Sequence, residues 1–140
     1  MTRPTRGERV AAAAQAAVGA QFRLHGRSVA DGLDCVGLAA LAMRGGGFEG
    51  EVPTGYPLRS GDPVRLAGAI AGLGLRRVRK AAIGDLIAMA SGPGQLHLGI
   101  ATGIGFVHAD AGLRRVVERP GAPPWPVVGR WRLGGTTWRR

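Results

Sequence analysis

Between Glu8 and Val18 the chain is alanine-rich and free of proline and glycine, which predicts a first helix stopped by Gly19. The polar, glycine-containing stretch Gln21 to Gly32 predicts a loop. From Cys35 to Met43 the apolar positions Val36, Leu38, Leu41 and Met43 suit a buried helix, with Asp34 placed to cap it and Gly45, Gly46 and Gly47 to end it. Phe48 to Gly61 carries Pro53, Gly55 and Pro57 and predicts a long loop. A third helix fits Asp62 to Leu73, with Asp62 as N-cap, Pro63 at its first position and Gly74 past its end.

The period then shortens. Leu75–Lys80, Asp85–Ala90, His97–Thr102, Phe106–Ala109, Arg114–Glu118 and Val127–Leu133 have strand character and are separated by Gly and Pro clusters. Helices first and an antiparallel sheet afterwards predict an α+β domain, with Pro120 to Pro126 as the loop before the last strand. Nothing repeats, and no composition shift marks a second domain. Residues 1–140 are therefore read as one unit, with 1–8 as a flexible tail.

Composition narrows the classes. At 140 residues with 45% hydrophobic positions the chain can bury a core without staples, and its single cysteine excludes an internal disulfide framework. No apolar run approaches the roughly 18 residues of a membrane span. The stretch Arg3 to Ala20 imitates a secretory signal, but it is alanine-rich and holds Gln15 and Gly19. It is read as a mature helix, so synthesis in the cytoplasm without a signal peptide is the expectation. The net charge of +10 comes almost wholly from arginine, which together with 25 glycines fits a compositional bias as well as a binding surface. The densest cluster, Arg76, Arg77, Arg79 and Lys80, holds no aromatic residue on which bases could stack, and it falls where charge protects a strand edge. No specific nucleic-acid partner is predicted.

Chemistry enters with Cys35. At the start of a helix, unpaired amides and the helix dipole favour a thiolate, the competent nucleophile. His97 and His108 flank a run that reads as a hairpin. A type II′ turn on Gly103 and Ile104 sets His97 opposite Asp110 and diagonal to His108; a turn on Thr102 and Gly103 sets the histidines opposite each other. Either register puts both imidazoles on one face, roughly 5 to 8 Å apart at Cβ. A helix-borne cysteine facing two histidines is an arrangement of nucleophile, base and orienting residue. Each residue taken singly also fits a core, and the three together also fit a zinc site, although there is no CxxC or HxxxH pair.

The segments Gly19-Ala20-Gln21-Phe22-Arg23-Leu24-His25-Gly26 and Gly32-Leu33-Asp34-Cys35-Val36-Gly37-Leu38 resemble the nucleophile region of the NlpC-type cell-wall cysteine peptidases. Gly84-Asp85-Leu86, His97-Leu98-Gly99-Ile100 and His108-Ala109 resemble that family's remaining motifs in order, from about Arg9 to about Trp131. The Asp-Cys-Val-Gly-Leu form is most similar to its phage and gene-transfer-agent branch. The resemblance implies a papain-like α+β fold, no metal or other cofactor, and hydrolysis of peptidoglycan stem peptides next to D-glutamate or diaminopimelate. It implies Cys35 as nucleophile, His97 as base and His108 as the third polar residue. Asp34 matches an aspartate that helps bind a substrate amino group, and Phe22 stands at the substrate site where many relatives carry Tyr. Val36 stands where many carry Ser, so two hydroxyls are missing from the site's edge. Phage-like tail proteins are the implied partners, with action in the periplasm or at the cell wall.

Other positions read as structural: Asp85 as a turn former, His25 as loop surface with subsite contact as the alternative, and Trp125, Trp131 and Trp138 as packing. Acidic stem peptides would favour one arginine in the cleft, and the sequence does not single it out. Two other functions stay open. One is a thiolate-dependent amidase or acyltransferase; the other is a basic structural or nucleic-acid-binding tail protein with Cys35 merely buried.

Overall fold

The structure, a computed structural model, describes residues 3–52 and 62–134. Helix α1 spans Arg6–Ala16, two residues earlier than the sequence predicts. Thr5 is the reason: its hydroxyl accepts from the Glu8 amide at 3.0 Å while the Glu8 carboxylate accepts from the Thr5 amide at 2.7 Å. This capping box draws residues 6–8 out of the expected tail. Helix α2 spans Cys35–Gly45 with Asp34 as its cap, and α3 spans Pro63–Gly72 with Asp62 as its cap. The small side chains of α1 let it lie close on α2, where any Cβ at Gly45 would collide with Ala13.

The stretch 21–32, read as loop, is more ordered than its composition suggests. It holds most of a two-stranded ribbon, β1 (Arg27–Ser28) against β2 (Gly32–Leu33), which brings Arg27 and Leu33 into register just ahead of α2. The six expected strands follow as β3 (Leu75–Val78), β4 (Leu86–Gly92), β5 (Gln95–Ala101), β6 (Gly105–Asp110), β7 (Arg115–Pro120) and β8 (Val127–Leu133). They form one antiparallel sheet in the order β3-β8-β4-β5-β6-β7. Residues 19–22 line the outer edge of β7, with the Gly19 amide donating to Val116 and the Phe22 amide to Arg114, both at 2.9 Å. The other edge, β3, presents exposed Arg76 and Arg77, in keeping with charge as edge protection.

Alternation along the strands makes two cores. Leu86, Ala88, Leu98, Ile100, Val107, Ala109 and Val116 pack with Leu38 and Met43 of α2. The intervening residues Ile87, Met89, Ala101 and Phe106 form a second cluster on the opposite face, with Trp125 against it. Trp131 is buried in the first core, as expected of a packing residue; Trp138 and the 53–61 part of the predicted loop lie outside the described residues. Asp85 ends the turn before β4 and is fully buried, its carboxylate bonded to the Ala82 amide at 2.7 Å and to Arg132 Nε at 2.7 Å. The turn reading holds, with a buried ion pair added that the sequence did not show.

Candidate active site

Asp34 and Gly37 shape the start of α2. Asp34 Oδ1 accepts from the Gly37 amide at 2.8 Å, and the missing side chain at Gly37 lets Gly26 and Arg27 pass directly over the helix end. Arg27 Nη1 bonds Asp34 Oδ1 at 2.9 Å, and Asp34 Oδ2 accepts from the His25 amide at 2.7 Å. Both carboxylate oxygens are therefore occupied, so a substrate amino group would have to compete with Arg27 for Asp34. His25 is exposed, as expected, and takes a left-handed backbone with φ 64°, a conformation that suits glycine. Phe22 is half-buried and packs on the helix-side core.

The histidines come from the β5–β6 hairpin. Its turn lies on Gly103 and Ile104, shown by the pairs Ile100↔Val107 and Ala101↔Phe106, which excludes the register centred on Thr102 and Gly103. The turn is not type II′, however, because Gly103 does not take positive φ. The Thr102 hydroxyl shapes it instead, accepting from the Ile104 and Gly105 amides at 3.2 and 3.0 Å and donating to Glu118 at 2.7 Å. The paired ladder stops short of the histidines. His97 Nε2 meets His108 Nδ1 at 2.8 Å, with the rings edge-on at 88°.

That contact decides which nitrogen is free. For His97 Nδ1 to act as a base, His97 must hold its proton on Nε2 and donate it to His108 Nδ1. His108 then carries its own proton on Nε2, an atom that is buried without a hydrogen-bond partner. The His108 ring stacks on Phe106 with centroids 5.1 Å apart and meets Trp125 edge-on with centroids 5.7 Å apart. Trp125 also meets His97 at 5.8 Å. Its packing role is as expected; its place against both histidines is not legible in the sequence, since it comes from a proline-rich loop without periodicity.

The structure thus joins His97 to His108 directly, while Cys35 packs in the helix-side core with Leu98, the residue after His97; among the described residues no hydrogen bond joins the thiol to either histidine. Burial pushes the thiol up to about 11, and the Asp34 charge adds to the rise, against the lowering effect of the Leu98, Cys35 and Val36 amides. Burial, followed by His108, pushes His97 down to about 4, against the opposing pull of Asp110. His108 is also lowered, by burial first and by Arg119, while Asp110 raises it. The sequence expectation of a resting thiolate is thereby corrected: desolvation outweighs the helix end, and thiol and imidazole rest neutral. Asp110 was within reach of sequence reasoning, because the Gly103–Ile104 turn places it opposite His97.

One consequence is measurable. Since the thiolate reacts and the thiol does not, iodoacetamide should modify Cys35 at pH 7 more slowly than a model thiol. The rate should climb as pH rises from 8 towards about 11. A rate at pH 7 equal to or above the model thiol's would show that the amides prevail over burial.

Among the described residues no three His, Cys, Asp or Glu side chains form a group that could hold a metal, and no helix is long and apolar enough to cross a membrane.

No protein-family model matches the chain, and no curated protein sequence matches it. Solved structures do. NlpC1 from Trichomonas vaginalis superposes with a TM-score of 0.69 at 22% identity, over 94% of this chain and 46% of that one. The P60 domain of the M. avium subspecies paratuberculosis antigen MAP1204 gives 0.60 at 23% identity, over 91% of this chain and 93% of that one. The NlpC/p60 domain of the peptidoglycan hydrolase SagA gives 0.55 at 23% identity, over 79% and 86%. The chain spans about half the length of the Trichomonas protein. Its α+β architecture is that of NlpC/p60 domains, as the sequence motifs predict.

Proposed function

We propose that the protein is a cysteine endopeptidase that hydrolyses peptide bonds in bacterial peptidoglycan stem peptides. The observation that carries this reading is the 2.8 Å contact between His97 Nε2 and His108 Nδ1, which leaves His97 Nδ1 without a partner among the described residues, on the strand whose next residue, Leu98, packs in one core with Cys35. The name of SagA as a peptidoglycan hydrolase supports the substrate class.

In this mechanism substrate binding brings Sγ within reach of His97 Nδ1, since catalytic hydrogen bonds often tighten only in the complex. His97 takes the thiol proton as Sγ bonds to the scissile carbonyl carbon. The carbonyl oxygen gains negative charge and is stabilised by amides at the start of α2. Collapse breaks the C–N bond, His97 returns the proton to the leaving amine, and water hydrolyses the thioester. Because both groups rest neutral, the ion pair exists only as the reaction proceeds.

We propose further that the protein is made in the cytoplasm, assembles with phage-like tail proteins and acts in the periplasm or at the cell wall. The likeness of residues 34–38 to the phage and gene-transfer-agent branch supports this. Mass spectrometry of purified muropeptides after incubation tests the activity. The expected result is loss of intact stems with paired peptide products and no metal added; unchanged muropeptides, or glycan-only cleavage, would overturn it.

A further inference from the structure

The sheet face that carries the histidines also carries an acid that the mechanism leaves unused. On β6, side chains two residues apart share a face, so half-buried Asp110 stands beside His108 as His108 stands beside Phe106. The β5–β6 register, fixed by Ile100↔Val107 and Ala101↔Phe106, runs on to set Asp110 opposite His97 where the ladder has stopped. The acid therefore sits at a corner shared by both imidazoles, which meet at 2.8 Å.

Its neighbours leave its charge available. Arg115 lies directly opposite Asp110 in the β6–β7 ladder, yet no ion pair joins them among the described residues. Asp110 Oδ1 accepts from the Leu113 amide at 3.0 Å, a neutral partner that orders the turn without cancelling charge. The other acids of the sheet are committed: Asp85 to Arg132, and Glu118, which opposes Val107 of the helix-side core, to Thr102 and Gln15.

The rest of the setting disfavours a cation. Met89 pairs with His97 from β4, Phe106 stacks on His108, and Trp125 meets both rings edge-on. From β7, Arg119 stands over Trp125, its guanidinium carbon 5.4 Å from the ring centroid, and brings like charge towards His108. Cys35, in the helix-side core, rests neutral and offers no compensating charge. An imidazolium that forms when His97 takes up a proton thus has one carboxylate on its own face to offset it. Burial lowers both histidines, and Asp110 opposes that fall in each.

We propose that Asp110 is a positioning residue whose carboxylate counterbalances the positive charge that forms on the His97–His108 pair. Its part in turnover rests on the peptidase reading; its hold on the imidazoles does not.

The test uses Asp110→Asn, which removes the charge and keeps an oxygen for the Leu113 amide. In Cys35→Ala protein with and without that change, the pH midpoints of the three imidazoles are followed by NMR. Those of His97 and His108 should fall by about one pH unit, while that of exposed His25 stays in place. With Cys35 intact, Asp110→Asn should lower kcat on muropeptides about 3- to 10-fold and leave KM unchanged, because a proton transfer is weakened and binding is not. Asp110→Glu, which restores the charge, should recover most of the loss in both readouts.

Unmoved His97 and His108 midpoints in folded Asp110→Asn, or a kcat within about twofold of wild type, overturn the proposal. A loss in Asp110→Glu equal to that in Asp110→Asn also overturns it, by tracing the effect to the turn instead of the charge. Should Asp110→Asn fail to fold, Asp110→Ser, uncharged and still able to accept from the turn amide, decides in its place. Falling midpoints in a protein that cleaves no muropeptide would leave the hold of Asp110 on the pair standing and sink the peptidase reading.

Discussion

Alanine at Cys35 or at His97 is expected to lower muropeptide turnover by at least about a thousandfold, because in the proposed mechanism they are nucleophile and base, which act as a unit so that either loss disables both. Combining the two should cost little more than either alone. His108 should behave differently. Its Nδ1 contacts His97, and in the proposed mechanism it exchanges no proton with substrate, so a side chain that offers an acceptor at the same place can serve in part. His108→Asn and His108→Gln should therefore retain more activity than His108→Ala, with circular dichroism showing all three folded. Equal inactivity of the three would make His108 an acid, base or ligand in its own right. Near-wild-type activity of all three would remove it from the machinery.

The largest effect on stability is expected from Arg132→Leu. Asp85 is completely buried, and Arg132 reaches it with Nε at 2.7 Å and Nη2 at 3.1 Å. Removing the cation leaves a carboxylate in the interior with only the Ala82 amide to satisfy it. Breaking a buried pair from one side costs about 3 to 5 kcal/mol, and the partial exposure of Arg132 sets the expectation at about 3 kcal/mol. For a chain of this size that corresponds to a fall of about 10 °C in Tm. Adding Asp85→Asn removes the stranded charge and keeps an acceptor for the turn, so the double variant should recover part of the loss. Urea and thermal melts of the three proteins measure this; an unchanged Tm in Arg132→Leu would mean that the pair contributes nothing net.

Much of the fold could be read from punctuation in the chain. Asp34, Asp62 and Pro63 mark helix starts because their local chemistry allows little else, and the Gly and Pro clusters after Gly74 separate strands whose observed limits differ by a few residues. The histidine pair was legible because strand alternation and a short turn are both local rules. What escaped depends on distance in the chain. Arg27 reaches Asp34 only through the β1–β2 ribbon, Trp125 reaches the histidines from a loop, and Arg132 meets Asp85 across the sheet. The resting protonation of Cys35 also escaped: a helix start is visible in sequence, whereas the burial that outweighs it is a property of the packed whole.

The position of β8 bears on when the molecule can form during its own synthesis. Strands β4 to β7 pair in the order in which they are made, so that meander can close while the ribosome is still extending the chain. The strand β3 cannot join them, because its neighbour is β8 and β8 alone separates it from β4. Until residues 127–133 emerge, the sheet has a gap where β8, the last of the described strands, belongs, and α3 and β3 wait without a ladder. The fold is thus keyed shut from its C-terminal side, and a nascent chain stalled before Val127 holds every residue of the candidate triad but not the sheet that braces it.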